Sequence, residues 1–150
     1  MKIVIQRVTQ ASVTIDGKVK GEIQNGFMIL AGFVNDDTEE DLEWIASKTV
    51  GLRIFNDNNG VMNLSIKDTG GDILLISQFT LHALTKKGNR PSYIEAAKPE
   101  ISKPLYLKFI DTLENALGKP IQTGEFGADM KVSLTNDGPV TIIIDSKNKK

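Results

Sequence analysis

The chain of 150 residues contains no cysteine. That excludes disulfides, zinc–thiolate centres and thiol nucleophiles together, and is compatible with the cytosol without requiring it. No apolar run approaches the roughly 18 residues of a membrane helix. The opening MKIVIQRVTQ meets charge and polarity too early for a secretory signal. A soluble, cytoplasmic protein with no membrane partner is expected. Charge of one sign is lacking too: 18 Lys and Arg stand against 19 Asp and Glu. A protein that tracks long nucleic acid carries a broad basic field, which this chain does not have. It has two short basic runs, Lys86, Lys87 and Arg90 in TKKGNRPS, and Lys147, Lys149 and Lys150 in the tail. Each is either a solvated segment or a small patch that grips one end of a nucleic acid. There is a single histidine, and no His/Asp/Glu grouping has ligand spacing, so neither a metal nor another cofactor is expected.

What is present suits one domain over residues 1–150, with no repeats and no linker. Ile3 to Val8 alternates as a strand, and VTIDGKVKGEI reads as a hairpin about Asp16-Gly17. After the turn at Asn25-Gly26, FMILAGFV has the length and apolar continuity of a strand buried on both faces. Thr38 is a candidate N-cap for a helix whose stripe is Leu42, Ile45, Ala46, Thr49 and Val50. LRIF reads as a short strand, NDNNG as a turn, and Met62, Leu64 and Ile66 alternate again. A second helix is expected from about Ser102 to Leu117, with the stripe Leu105, Phe109, Leu113 and Ala116 or Leu117. Pro104 is tolerable only in its first turn, and Gly118 is a natural stop. KVSLT and VTIIID read as two strands about the turn NDGP. The expected class is α/β: mostly antiparallel sheets packed as a sandwich or open barrel, with two main helices covering one side.

Between the helices, ILLISQFTLH (Ile73 to His82) ends on polar residues and the lone histidine. If the strand runs to His82, Ser77 and His82 point to opposite faces, which disfavours a dyad. Thr80 and His82 would share a face but stand roughly 6.6–6.8 Å apart along the strand. No acid nearby completes a triad. Three readings stay open: a histidine-activated hydroxyl, a strand end with satisfied polar groups, or a backbone whose N–H groups leave the ladder and face an oxyanion. ALTKKGNRPSYIEAAKPE then forms a long irregular segment of the kind that often carries function.

SQFTL (Ser77 to Leu81) together with NDGPVT (Asn136 to Thr141) resembles the two signature motifs of the D-aminoacyl-tRNA deacylases, once called D-tyrosyl-tRNA deacylases. The likeness extends through IQRVTQASVTIDG, LRIFND, MNLS, KKGNRPSY and TGEFGADMKVSL, nearly the whole chain. It implies a homodimer that hydrolyses the ester between a D-amino acid, or glycine, and the 3′ end of tRNA. It also implies a cis bond between Gly138 and Pro139, inserted into the partner's pocket as a filter against L-amino acids. By the same resemblance, Gln78, Phe79 and Thr80 are the candidate catalytic residues. Ser77, Phe126 and Met130 would hold the adenosine and acyl carbonyl. His82 departs from the family pattern, which has tyrosine there, so an essential base is not expected of it. The terminal 2′-hydroxyl of the RNA would assist, with Thr80 as a further contributor. The competing expectations are a relative that removes L-alanine from mischarged tRNA, a non-catalytic module that binds RNA ends, and a generic esterase.

Overall fold

A computed structural model describes residues Met1 to Lys150. Strand β1 (Lys2–Ile15) turns at Asp16-Gly17, both at positive φ, into β2 (Lys18–Ile23), and β3 (Gly26–Gly32) follows. Helix α1 (Glu39–Gly51), the small ladder β4 (Phe55–Asn56) and β5 (Met62–Leu64), and the short α2 (Ile66–Thr69) come next. Strand β6 (Asp72–Ser77) leads into a single 3₁₀ turn, Phe79–His82. After the long irregular segment come α3 (Pro99–Leu117), β7 (Gln122–Thr123) and β8 (Lys131–Asp145).

The main sheet runs β2-β1-β3-β6-β7, and β8 lies along the other edge of β1. β1 is long enough to hold β3 over Lys2–Val8 and β2 over Ala11–Ile15 on one side, with β8 on the other. These pairs are antiparallel, whereas β3, β6 and β7 run parallel. β7 curls back so far that a Cβ on Gly21 of β2 would lie 3.1 Å from the Thr123 carbonyl. The sheet is therefore bent into a nearly closed barrel, as the expected class required.

Alternation divides the apolar residues into two cores. Phe27, Ile29, Ile73 and Leu75 face outward onto α1 and α3, in a cluster of 22 buried residues. Met28, Leu74 and Ile76 point the other way, into a cluster of 7 inside the barrel. A strand buried on both faces must be apolar throughout, which explains FMILAG. Helix α1 buries the stripe Leu42, Ile45, Ala46, Thr49 and Val50 as its spacing predicts.

Three expectations are corrected. Helix α3 starts at Pro99, not Ser102, so Pro104 lies beyond the first turn. Its missing N–H leaves the Glu100 carbonyl without a helical donor, but Glu100 is exposed and water can serve it. The α3 stripe packs Leu105 and Ala116 against the core as expected and adds Tyr106, whose hydroxyl donates to the Leu75 carbonyl at 3.2 Å under β6. Ile66 opens α2 instead of extending β5, since Ser65 and Asp68 cap that turn reciprocally at 3.2 and 2.9 Å. Lastly, NDGP is no turn between two strands. β8 is continuous, with Asn136 opposite Val8 and Thr141 opposite Gln6, so Asp137 to Val140 bulge out against Arg7 alone.

Candidate active site

The site begins where β6 ends. The Gln78 N–H makes a last bond to the Ala31 carbonyl of β3 at 2.7 Å, and the chain then folds into the 3₁₀ turn. That departure releases backbone donors: neither the Phe79 nor the Thr80 N–H donates to an acceptor within the chain. The Gln78 side-chain amide donates to the Thr80 hydroxyl at 2.6 Å, which pins the turn.

Beside this turn lies a cavity of about 740 Å³. Met28, Leu30 and Ile76 floor it, from the same strand faces that line the barrel. Ser77, Gln78 and Phe79 form one wall, Phe126 and Met130 another, and Tyr93 and Lys98 stand at the side of α3. No aspartate, glutamate or histidine lines it. Phe126 leans on Tyr106 with centroids 5.8 Å apart, and burial pushes the Tyr106 phenol up to about 12. Met130 packs so close to Gly124 that a Cβ there would overlap its Sδ.

The structure brings Ser77, Gln78, Phe79, Phe126 and Met130 together in one cavity and leaves Thr80 outside its lining. The face argument made from a strand reaching His82 fails, because the strand stops at Ser77. Ser77 and His82 are separated all the same. His82 is buried against Gly32 and borders a different cavity with Lys2, Asp36 and Glu95, and its Nε2 has no hydrogen-bond partner. Gly138 and Pro139 are exposed on the β8 bulge and do not line the cavity of their own chain. The bond between them is cis, and Gly138 has φ +122.

Sequence reasoning missed Arg7. Its guanidinium is buried and donates from Nη1 to the Ile54 carbonyl at 2.6 Å and from Nε to the Asp137 carbonyl at 3.1 Å. The Asp137 carboxylate lies 3.5 Å from Nε. A Cβ on Gly138 would come within 3.1 Å of Arg7 Nη2, so the arginine lies directly behind the bulge. The only signal for it was a cation inside the otherwise alternating strand IVIQRV.

Comparison with known proteins agrees with this frame. The family model described as D-Tyr-tRNA(Tyr) deacylase matches residues 4–145. The chain belongs to that family. The D-aminoacyl-tRNA deacylases of Flavobacterium psychrophilum and Bacteroides fragilis (strain YCH46) are each 66% identical to it over 150 residues, 100% of both chains. A solved structure of the c-Myc DNA unwinding element binding protein superposes with TM-score 0.92 at 39% identity, covering 97% of this chain and 98% of that one. A probable eukaryotic D-amino acid tRNA deacylase superposes with TM-score 0.81 at 18% identity, covering 95% and 97%, a likeness of fold. Family membership makes the chain a deacylase, and hence a hydrolase. The SQFTL and NDGPVT segments of this deacylase thus mark the cavity wall and the bulge that Arg7 braces.

Proposed function

We propose that the chain hydrolyses the ester joining a D-amino acid, or glycine, to the 3′-terminal adenosine of a tRNA. The observation that carries this is a pair of unpartnered N–H groups, Phe79 and Thr80, beside an apolar cavity with no carboxylate or imidazole. Adenine lies against Phe126 and Met130, and the acyl group lies along Ser77 to Phe79. Water attacks the acyl carbon, the tetrahedral oxyanion takes the free N–H groups, and the C–O bond to the ribose breaks. The ribose oxygen leaves as a hydroxyl. One backbone donor contributes roughly 2.7–4 kcal/mol in such a transition state. Holding the water and the neighbouring 2′-hydroxyl in line is an orientation effect that needs no side-chain base.

Chirality is the harder requirement. A 10⁴-fold preference for D over L needs about 5.5 kcal/mol, and contacts in an apolar pocket distinguish groups by only about 1–3 kcal/mol. A rigid wall close to Cα can supply the rest whatever the side chain is. Gly138 and Pro139, exposed and outside the cavity of their own chain, suit insertion into a second copy, so the active species is a homodimer. Such a wall cannot exclude glycine, which has no side chain to clash.

The deciding experiment is hydrolysis of D- against L-tyrosyl-tRNA by the purified protein, with L-alanyl-tRNA as a third substrate. D-selective release supports the proposal, and preferred release of L-alanine would replace it with the competing branch. Substrate ending in 2′-deoxyadenosine should not turn over. Sedimentation should give a dimer, and a fully active monomer would contradict a filter supplied across subunits.

A further inference from the structure

The cavity accounts for the last nucleotide of an RNA but not for the chain of phosphates that follows it. From Ile73 to Ile94, through β6, the 3₁₀ turn and the loop beyond, there is no aspartate or glutamate, although the whole chain carries 19. Within that stretch Lys86, Lys87 and Arg90 are all exposed, and none of them takes part in an ion pair. By contrast, Lys108, Lys119, Lys131 and Lys147 are each matched to a carboxylate. The loop has a fixed neck. Leu84 and Ser92 exchange both backbone bonds, at 2.8 and 3.0 Å, and the residue after the neck is Tyr93, which lines the cavity. Arg90 is three residues from Tyr93, so it lies no more than about 11 Å along the chain from the cavity wall. At that edge Tyr93 meets Phe79 edge-on with centroids 5.0 Å apart, and both rings are partly open to solvent, 40% and 54% exposed.

Exposed aromatic rings next to unpaired cations are how proteins hold single-stranded nucleic acid: bases stack on the rings and phosphates sit on the charges. We propose that the loop from Leu84 to Ser92, together with Tyr93, is the docking surface for the unpaired 3′ end of the RNA. Lys86, Lys87 and Arg90 take the phosphates preceding the terminal nucleotide, and the adjoining base stacks on Tyr93. The inference rests on the RNA-end substrate proposed above and adds where the rest of that end lies. It also explains how a chain with no overall basic field can hold a polyanion: the attraction is local and stops within a few nucleotides of the cavity. The other basic run does not compete for this role. Lys147 is tied to Asp41 at 2.9 Å, and Lys149 lies 4.6 Å over the Trp44 ring beside β8.

The test is binding of a fluorescent acceptor-stem hairpin that carries an unpaired ACCA end and no amino acid, followed by anisotropy across a salt series. For single strands each phosphate contact contributes about 0.7 to the slope of log affinity against log salt. The Lys86→Gln/Lys87→Gln/Arg90→Gln protein should therefore lose about 2 from that slope. Between about 50 and about 200 mM salt the wild type should weaken roughly 20-fold more than this variant. Lys149→Gln/Lys150→Gln should leave the slope as it is, and a blunt hairpin without the unpaired end should bind equally weakly to all proteins. An unchanged slope in the loop variant, an equal loss in the tail variant, or full affinity for the blunt hairpin would each overturn the proposal. Hydrolysis of D-tyrosyl-tRNA is a separate measurement. Loop-dependent binding without turnover would leave the docking surface standing and remove the D-aminoacyl ester hydrolysis proposed above.

Discussion

Replacing Arg7 by lysine keeps the charge and most of the stem but removes the planar fork. The guanidinium reaches two carbonyls at once, the buried one of Ile54 at 2.6 Å and the part-buried one of Asp137 at 3.1 Å. A single ammonium can serve one of them. The other carbonyl loses its charged donor, a hydrogen bond that contributes about 1.5–3 kcal/mol. At about 2–4 °C per kcal/mol for a chain of this size, the melting temperature should fall by roughly 3–12 °C. The functional effect is more specific. Arg7 stands behind the bulge from Asp137 to Val140, so its loss should let Gly138 and Pro139 move while the cavity wall at Ser77 to Phe79 stays in place. The D/L ratio of kcat/KM on tyrosyl-tRNA should drop at least tenfold through a rise in L turnover, with D turnover within about threefold of wild type. Thermal melts and paired deacylation assays on one preparation read both effects. A lowered melting temperature with an unchanged D/L ratio would refute the idea that Arg7 sets the filter. A parallel fall of both activities would show that Arg7 serves the fold alone.

Gly124→Ala would press its new methyl on Met130 Sδ, the movable end of a flexible side chain. The melting temperature should change little while KM for D-tyrosyl-tRNA rises, and an unchanged KM would argue against adenosine lying beside Met130. His82→Ala and Ser77→Ala should each keep most hydrolysis; a loss of several thousandfold in either would restore side-chain catalysis. For Tyr106, burial holds the folded phenol at about 12 against an ordinary 10.0, so its stabilising contribution is complete below pH 10 and fades as pH rises from 10 to 12. The two-unit shift corresponds to about 3 kcal/mol. Alkaline unfolding should be less steep in Tyr106→Phe, and an equal slope would mean the phenol is not the titrating group. Burial raises the Asp41 carboxyl, but the Lys147, Thr38 and Ser146 hydrogen bonds and the Lys147 charge outweigh it and hold the group well below the usual carboxylate range. Its contribution is present above about pH 4 and is lost as pH falls below that. The stability gap between wild type and Asp41→Asn should close on acidification, and a gap that persists at low pH would contradict the assignment.

The elements that alternate or repeat strictly were legible because burial imposes a period on each chain segment by itself. The Asp16-Gly17 hairpin follows from its turn pair, the doubly buried FMILAG strand from an unbroken apolar run, and the Leu42 to Val50 stripe from helical spacing. The two motifs of the site were also visible as residue types, since polar residues that close an apolar strand and a Gly-Pro inside an NDGPVT run are local features. The sequence could not tell where β6 gives up its ladder, because the bond that ends it is made by Ala31 of another strand. Nor could it tell that NDGP is a bulge rather than a turn, which depends on β1 running unbroken beside both halves of β8. Arg7 became a brace only when the carbonyls of Ile54 and Asp137 were brought to it from distant parts of the chain. Local periodicity and residue chemistry thus determined the elements and the family, whereas the free N–H groups, the acid-free cavity and the backed bulge exist only through contacts between segments far apart in sequence.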